Sequence, residues 1–573
     1  MLLEIVWLCL AWSSDAFVPT QVSLAAGSHA DSTISITWLT DDDRDDPTSC
    51  AEVAVVHVRG PIADQSEHAR MAPGLHVVGT CSRYSLGSAP ELFGNYTSGR
   101  IHTVQVNGLV AGSTYAYTLF GDSPSTTRHF KTLPASEEPE PRKADPRFPF
   151  VLGVIGDLGQ TADSQETVRH LDADPSLQIL LHAGDMAYAD TESKRWDSYG
   201  LKVEPLSSRL QWMVCPGNHE IESDYYTGES FKAYEARFAM PSVQPVESLP
   251  STKQIGCKHP FPAKPHKGPD CTPSVFSGGY DWGNSFYAFD AGPARVISLN
   301  SYANTGPQSA QLNWLREELE ALARRRSSTP WLIVMMHCPF YSSNAAHHEE
   351  RQTTLMRDIH GFEDLLQKHA AAVVISGHVH AYERTHPVYR NVTKPGAPTY
   401  IVVGDGGNRE GHAKDYLPQP SWSAFRNGLT FGHGRLVIAN KTHMQWEWWT
   451  NDDTLPPAMN KERAARRAAD LELSGSIFDV DSPWRSPLPQ RSAVDSVWIR
   501  NPYRDPPPRS RFANASLWAL GLVSVSSAVL AFLVIAVQRC RRRRLAAQPV
   551  QSSQSINSAE MQSTSSSRTL LDS

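Results

Sequence analysis

The feature that most constrains this chain is a series of short apolar runs that each end in a polar side chain. Residues 371–375 form one such run, and Gly377, His378 and His380 follow it closely. The run is typical of a buried strand, and a glycine after it lets the backbone turn sharply. Two histidines separated by one residue at a strand end are spaced to bind neighbouring metal ions. The spacing also occurs in solvated and core histidines, so its interpretation depends on the other runs.

Four further runs end in the same way. Residues 150–155, 178–183, 211–215 and 331–336 are typical of buried strands. The groups that follow them are Asp157 in GDLG, Asp185 and Tyr188 in GDMAY, Asn218 and His219 in GNHE, and His337. Carboxylates, a phenol, an amide oxygen and imidazoles form a mixed ligand set that fits two close metal ions. Each residue alone is also explained as a helix cap, a turn residue or a core histidine, but their joint occurrence at strand ends predicts a dinuclear metal site.

Strands alternate with helical patterns between residues 148 and 453. In the segment 309–326, the leucines at 312, 315, 319 and 322 form one apolar face at helical spacing. This alternation predicts an α/β domain in which helices cover the outer faces of the sheets. Ligands in such domains bind beyond the carboxyl ends of the strands. His182 lies within a strand rather than at its end, and we therefore assign it a structural role.

Short strands without helical periodicity occupy residues 17–135. The clearest candidates are residues 32–40, 101–106, 114–120 and 127–132, with turn residues between them. This pattern predicts an N-terminal β-sandwich of the fibronectin-III-like kind. The charged, proline-rich segment 136–147 then predicts a linker to the α/β domain.

The two ends of the chain predict passage through the secretory pathway. Residues 1–16 are largely apolar and end in small residues, as in a signal peptide. Residues 517–537 carry no charge and are long enough to span a bilayer, and the arginines at 539–544 place the tail 538–573 in the cytoplasm. The polar, proline-rich segment 454–516 is interpreted as a stalk. We therefore predict a single-pass type I membrane protein whose main domain is extracellular or lumenal.

The cysteines and sequons fit an oxidising compartment. Loop disulfides are predicted between Cys50 and Cys81 and between Cys257 and Cys271, and the state of Cys215 and Cys338 is left open. Glycosylation is expected at Asn95, Asn391 and Asn440. The net charge is −7 and the body of the chain has no long basic run, which argues against a nucleic-acid partner.

The motifs together resemble those of the purple acid phosphatases, a family of the metallophosphoesterase superfamily. They are GDLG, GDMAY, GNHE, the histidine of MMHCPFY, and GHVHAYER. The segments YTSGRIHTVQVNGL, RWDSYG, HCPFYSSNAAH and YIVVGDGGN also look like that family. The resemblance covers about residues 18–453. It implies that residues 148–453 form an αββα-layered metallophosphoesterase domain, with 399–453 as the C-terminal segment of the family.

The resemblance also implies a role for each candidate ligand. Asp157, Tyr188 and His380 would hold a ferric ion, Asn218, His337 and His378 would hold a divalent zinc, manganese or iron ion, and Asp185 would bridge the two. A phenolate bound to Fe(III) gives the family its colour, so Tyr188 carries most weight in the assignment.

The implied activity is hydrolysis of phosphate monoesters. A metal-bound hydroxide would attack phosphorus, while Asn218, His219 and His347 contact the substrate. His219 and His347 are the catalytic candidates, and His347 is favoured as the acid that protonates the departing alcohol. Because a trivalent ion lowers the pKa of bound water strongly, an acidic pH optimum is expected.

Two alternatives stay open at this point. A phosphodiesterase or nucleotide pyrophosphatase would use the same site, because substrate choice lies in loops such as 221–270. A binding ectodomain with an inactive phosphatase fold is a different class of function, and the complete set of ligands argues against it. The sequence also leaves open whether the protein forms a homodimer.

Overall fold

The computed structural model describes residues 18–41, 54–61, 74–88, 94–136, 145–242, 279–348, 359–451 and 493–503. The predicted signal peptide at 1–16, the membrane span at 517–537 and the tail at 538–573 lie outside these ranges. Cys50, Cys257 and Cys271 also lie outside them. Within the described ranges, no helix is both long and apolar enough to cross a membrane.

The N-terminal region consists of short strands whose apolar residues alternate with polar ones. The strands are β1 (Thr20–Ala26), β2 (Ile34–Thr40), β3 (Val55–Arg59), β4 (Leu75–Val78), β5 (Thr80–Ser82), β6 (Ser85–Gly87), β7 (Asn95–Thr97), β8 (Arg100–Val106), β9 (Thr114–Leu119) and β10 (Arg128–Lys131). They form antiparallel sheets with the orders β1-β2-β8-β5 and β10-β9-β3-β4, and β6 pairs with β7. Trp38, Tyr117 and Phe130 belong to one apolar core shared by the two larger sheets. The expected β-rich N-terminal domain is confirmed.

Strands and helices alternate in the following region, as predicted. The strands are β11 (Phe150–Ile155), β12 (Ile179–His182), β13 (Gln211–Val214), β14 (Tyr287–Ala291), β15 (Ala294–Ser298), β16 (Trp331–Met335), β17 (Val373–Ser376), β18 (Tyr382–Thr385), β19 (Val388–Tyr389), β20 (Val392–Thr393), β21 (Thr399–Val403), β22 (Ser423–Asn427), β23 (Gly432–Ile438), β24 (His443–Thr450) and β25 (Asp495–Arg500). The helices are α1 (Ala162–Asp172), α2 (Lys194–Ser207), α3 (Lys232–Arg237), α4 (Ala310–Arg324) and α5 (Ile359–Lys368).

Two sheets form the centre of this second domain. The first has the order β25-β24-β23-β11-β12-β13, and the second has the order β14-β15-β16-β17-β21-β18-β22. Leu181 of the first sheet and Ile375 of the second belong to the same apolar core. The leucine face of α4 packs in a separate core with Val334 and Val374 of the second sheet. This arrangement is the predicted layering, in which a helix covers the outer face of a sheet.

The first sheet also joins the two domains. β1 of the N-terminal domain pairs in parallel with β13 through Leu24 and Gln211. The result is one continuous ten-stranded sheet, which extends from β25 at one end to β5 at the other. The N-terminal domain is therefore attached to the same sheet that carries several of the predicted metal ligands.

Strand β25 lies in the range 454–516 that the sequence analysis interprets as a stalk. It pairs with β24 in antiparallel orientation. Its Asp495 carboxylate accepts hydrogen bonds from the Tyr382 hydroxyl at 2.7 Å and from the Arg384 guanidinium at 2.7 and 2.9 Å. This part of the range belongs to the layered domain and not to a stalk. The sequence analysis missed it because the surrounding sequence is polar and rich in proline, which hides a short strand.

The described cysteines and sequons can be compared with their predictions. Cys81 is disulfide-bonded, and its pairing with Cys50 stays a prediction because Cys50 lies outside the described residues. Cys215 and Cys338 are buried, and neither forms a disulfide with a described residue. The three asparagines of the expected glycosylation sites, Asn95, Asn391 and Asn440, are exposed to solvent.

Candidate metal centre

The structure places the predicted ligands just beyond the carboxyl ends of the strands. Asp157 follows β11, Asp185 follows β12, and Asn218 begins a short 3-10 turn after β13. His337 follows β16, and His378 follows β17. Strands β11, β12 and β13 are parallel neighbours, as are β16 and β17, so their ends bring these groups to the same edge of the two sheets. All of these side chains are buried.

The backbone turns sharply at these strand ends. Positive φ angles occur at Asp157 (54°), Asp185 (54°), Tyr188 (49°) and His378 (68°). Such angles are uncommon in residues other than glycine, and they collect at functional sites where the surrounding structure holds them. The strand ends therefore carry backbone strain that orients their side chains toward one another.

Two glycines allow the ligands to approach the neighbouring backbone. A Cβ atom on Gly377 would lie 2.2 Å from Oδ2 of Asp157, and one on Gly217 would lie 2.1 Å from Oδ1 of Asp185. Both distances are far shorter than a van der Waals contact. The glycines of the GNHE and GHVHAYER motifs are thus required by the close packing of the carboxylates.

Asp157, Tyr188 and His380 form the first group of ligands. The Tyr188 hydroxyl lies 3.3 Å from Oδ1 of Asp157 and 3.1 Å from Nε2 of His380. Nε2 of His380 lies 3.4 Å from the same carboxylate oxygen. Burial and the carboxylates of Asp157 and Asp185 raise the pKa of Tyr188 well above its ordinary value. A phenolate at this position needs a strong positive charge beside it.

Asn218, His337 and His378 form the second group. Oδ1 of Asn218 lies 3.2 Å from Nε2 of His337 and 3.0 Å from Nδ1 of His378. Oδ2 of Asp185 lies 3.0 Å from Nε2 of His337. The potential donor atoms of Asp185, His337 and His378 all lie within 4.8 Å of one another, as expected for ligands of one ion.

The chemistry of the two groups fits a pair of unlike ions. The first group offers a carboxylate, a phenol and one imidazole, which suit a hard trivalent ion. The second offers two imidazoles and an amide oxygen with the Asp185 carboxylate beside them, which suits zinc, manganese or ferrous iron. The Asp185 carboxylate contacts the second group through His337, and its backbone carbonyl accepts from the Leu158 N–H of the Asp157 loop at 3.1 Å.

His219 faces the site and is held by a buried carboxylate. Its Nδ1 lies 2.5 Å from Oδ1 of Asp190, and Arg409 binds the other oxygen of Asp190. Its Nε2 lies 3.9 Å from Oδ2 of Asp185 and 4.0 Å from Oε1 of Glu410. Burial alone would lower the pKa of His219, but Asp190 and Asp185 raise it well above its ordinary value. His219 is thereby held with Nε2 toward the Asp185 carboxylate.

His347 packs against His378 of the second group. Its ring centroid is 4.0 Å from that of His378, and its backbone has a φ of 55°. In contrast to the ligands, it is exposed to solvent. The structure thus places a solvent-exposed imidazole directly beside His378.

Two further buried residues, Glu220 and His182, have structural roles near the site. The Glu220 carboxylate accepts hydrogen bonds from the backbone N–H groups of Asp185, Met186 and Gly217 at 2.7 to 2.9 Å, and so ties two ligand loops together. Burial lowers the pKa of His182 to about 3, and its Nδ1 faces Tyr199 and Trp212. The structural role assigned to His182 agrees with this neutral, buried position.

The sequence analysis missed three residues at the site. Asp190 and Arg409 hold His219, and the Tyr302 hydroxyl donates to Oδ1 of Asn218 at 3.2 Å. Asp190 follows GDMAY so closely that its position near the site was foreseeable, but its partner was not. Tyr302 lies in a loop that carries no motif of its own, and Arg409 directly follows the YIVVGDGGN segment.

The layered fold and the ligands at its strand ends define a metallophosphoesterase. Family models support this class over most of the chain. "Purple acid Phosphatase, N-terminal domain" matches residues 19–132, "Calcineurin-like phosphoesterase" matches residues 150–382, and "Iron/zinc purple acid phosphatase-like protein C" matches residues 397–455.

Individual relatives agree with the family models. Purple acid phosphatase 18 of Arabidopsis thaliana is 36% identical over 362 residues, which cover 63% of this chain and 70% of the relative. Fe(3+)-Zn(2+) purple acid phosphatase 12 of the same plant is 34% identical over 380 residues, which cover 63% and 71%. The chain belongs to the purple acid phosphatase family. A solved purple acid phosphatase from yellow lupin (Lupinus luteus) seeds has the same fold, with a TM-score of 0.57 and 21% identity over 76% of this chain and 72% of that one.

Proposed function

We propose that this protein is an acid phosphatase that hydrolyses phosphate monoesters at a centre of Fe(III) and a divalent ion. The observation that carries the proposal is the position of the Tyr188 hydroxyl, 3.1 Å from His380 and 3.3 Å from Asp157, beside a separate group of imidazole and amide ligands. The Fe(3+)-Zn(2+) centre in the name of the Arabidopsis relative supports the choice of metals.

Each ligand has a proposed place in this centre. Asp157, Tyr188 and His380 would hold the ferric ion, Asn218, His337 and His378 would hold the divalent ion, and the Asp185 carboxylate would be shared between the two. Their separation into two groups of close contacts supports this division.

The protein side chains account for the remaining parts of the reaction. When bound, the two ions supply positive charge to the phosphate group and make a water molecule more acidic. His219 donates a hydrogen bond from Nε2 to a phosphoryl oxygen as an imidazolium, and Asp190 at Nδ1 fixes its ring and stabilises its positive charge. His347, which is exposed to solvent beside His378, gives a proton to the departing alcohol. Water supplies the oxygen of the new P–O bond as the bond to the alcohol breaks.

A spectrum and a metal analysis of the purified protein test the proposal. We expect two metal ions per chain, one of them iron, a broad visible absorption band and hydrolysis of 4-nitrophenyl phosphate at acid pH. A diester, bis(4-nitrophenyl) phosphate, is the comparison substrate, and faster hydrolysis of the diester would favour a phosphodiesterase. A protein that binds metal but lacks iron and the visible band would contradict the ferric assignment.

We also propose that the protein enters the secretory pathway and is anchored by residues 517–537. The disulfide at Cys81 and the exposed sequons support an oxidising compartment. Expression with and without residues 517–537, followed by fractionation and glycosidase treatment, tests the proposal. Release of the shortened protein into the medium supports it, and recovery of both forms as unglycosylated soluble proteins would contradict it.

A further inference from the structure

Strand β18 follows the histidines of GHVHAYER. Successive side chains of a strand point to opposite faces of the sheet. Tyr382 and Arg384 point to one side, where both bind the Asp495 carboxylate of β25. Glu383 lies between them in sequence and contacts neither β25 nor Asp495 in any described hydrogen bond. The motif therefore includes a carboxylate with a separate set of partners.

The Glu383 carboxylate is buried and binds the segment that leads to His347. Its side chain is 2% exposed. It accepts hydrogen bonds from the Ser343 backbone N–H at 2.7 Å and from the Ser343 hydroxyl at 2.6 Å. The hydroxyls of Ser342 and Ser423 also donate to it, at 3.4 and 2.7 Å. Three of the four bonds thus come from two adjacent residues of one loop.

Hydrogen bonds fix the loop from Ser343 to the residue before His347. The Asn344 amide donates to the Ala413 carbonyl at 2.7 Å, and its Oδ1 accepts from the Ala346 N–H at 2.8 Å. The Ala345 N–H donates to the Asp415 carbonyl at 2.8 Å. Because a short hydrogen-bonded turn connects them, the position of Ser343 determines that of His347. The His347 ring lies against that of His378.

Burying the Glu383 carboxylate costs free energy unless it accepts hydrogen bonds. The folded protein is therefore most stable when the loop lies where Ser343 donates to Glu383. We propose that Glu383 is a positioning residue that holds the 342–347 loop so that His347 faces the leaving group. The inference rests on the proposed role of His347 as the leaving-group acid. Glu383 itself contacts no predicted metal ligand in the described hydrogen bonds, and its effect on the reaction passes through the loop.

The test uses the dependence of the rate on the leaving group. An aryl phosphate with an acidic phenol, 4-nitrophenyl phosphate, needs little protonation as it departs, whereas an alkyl phosphate such as glycerol 2-phosphate needs a proton. In Glu383→Gln, an amide replaces one acceptor oxygen and faces the N–H and O–H donors of Ser343. We expect kcat for the alkyl phosphate to fall at least about 10-fold and kcat for 4-nitrophenyl phosphate to fall less than about 3-fold. Iron content and the visible band should be unchanged.

Asp495→Asn is the matched control, because it disturbs β18 from the opposite side without touching the loop. It should lower both rates equally or not at all. Ser343→Ala removes a single hydroxyl without changing a charge, and a smaller shift in the same direction is expected. Hydrogen exchange at the Ser343 amide should become faster in Glu383→Gln and not in Asp495→Asn.

His347→Asn separates the inference from the proposal on which it rests. Equal losses for both substrates in His347→Asn would overturn the acid role of His347. Selective loss in His347→Asn together with equal losses in Glu383→Gln would overturn the inference about Glu383 alone. Loss of iron from Glu383→Gln would also overturn it, because the carboxylate would then support the metal site and not the loop.

Discussion

Tyr188 is a buried phenol among carboxylates, and it therefore depends on a cation to ionise. We predict that Tyr188→Phe binds iron about 10- to 100-fold more weakly and loses the visible band, because one ligand of the ferric ion is removed. Titration with iron, followed by absorption spectroscopy, measures both effects. Retention of the band in the variant would show that another group supplies the colour.

Asp190 holds His219 through a hydrogen bond at Nδ1, so it controls the direction of the N–H that faces the substrate. We predict that Asp190→Asn lowers kcat about 10- to 100-fold while both metal ions stay bound. Steady-state kinetics and metal analysis of the same preparation measure this. A loss of metal equal to the loss of activity would indicate that Asp190 supports the ligand loop and not His219.

At the residue scale, candidate ligands are visible in the sequence, whereas the residues that support them are not. Asp157, Asp185 and the histidines of GHVHAYER follow apolar runs, and that pattern is visible along the chain. The contact between Asp190 and His219 joins residues in different loops, and the contact between Arg409 and Asp190 spans most of the domain. Such pairs arise only when the strands are placed side by side, because no local spacing encodes them.

The elements that carry the site are strands whose last residues turn into tight loops. We predict that Gly377→Ala destabilises the protein by about 1–3 kcal/mol and reduces metal binding, because its Cβ would overlap Oδ2 of Asp157. Gly279→Ala is a suitable control, since no atom of the described residues, its chain neighbours aside, lies within 4 Å of its Cβ position. Thermal unfolding and metal analysis compare the two variants. Normal metal content in Gly377→Ala would mean that the carboxylate has room to move.

Elements with strong periodicity were predictable, and the short terminal strand was not. The leucine face of α4 and the apolar runs of β11 and β16 appear in the structure within one or two residues of their predicted bounds. Strand β25 has no such signal, because its stability comes from pairing with β24 and from the bond of Asp495 to Tyr382 and Arg384. Tertiary contacts of this kind override a weak local pattern.

At the scale of the whole molecule, a buried hydrogen-bond network links the two domains. The Arg237 guanidinium of α3 donates to the Tyr84 hydroxyl at 2.9 Å, to the Gln21 amide oxygen at 2.8 Å and to the Asp197 carboxylate at 2.7 Å. Gln21 and Tyr84 belong to the N-terminal domain, whereas Asp197 belongs to α2. The sequence predicts two domains and a linker but gives no sign of this contact, since its members come from four separate segments.

We predict that Arg237→Met destabilises the protein by about 2 kcal/mol, because Tyr84, Gln21 and Asp197 lose the group that donates to them. The cost is limited because the Asp197 side chain is partly exposed to solvent. Activity at low temperature should be unchanged, since Arg237 contacts no metal ligand in the described hydrogen bonds. Arg209→Met breaks the exposed pair with Asp172 and serves as the control, with an expected effect near zero. Calorimetry measures both variants, and equal unfolding temperatures would contradict the structural role of the network.

The pH dependence of stability is also a property of the whole fold, and Asp405 contributes to it. Its carboxyl is fully buried, Oδ2 accepts from the Trp448 indole at 2.7 Å, and Oδ1 has no partner among the described residues. Burial therefore raises the pKa of Asp405 to about 7, although the bond from Trp448 opposes the shift. The folded protein holds this proton more tightly than the unfolded chain, so the stabilisation is complete at low pH and is lost as the pH rises through about 7.

Between about pH 4 and pH 7, Asp405 should lower the free energy of unfolding by about 1.4 kcal/mol for each pH unit gained. We predict that Asp405→Asn removes this slope, and the difference in unfolding temperature between pH 5 and pH 7 becomes smaller than in the wild type. Calorimetry of both proteins with their metal ions bound provides the measurement. An unchanged difference would mean that Asp405 is ionised in the folded state at pH 5.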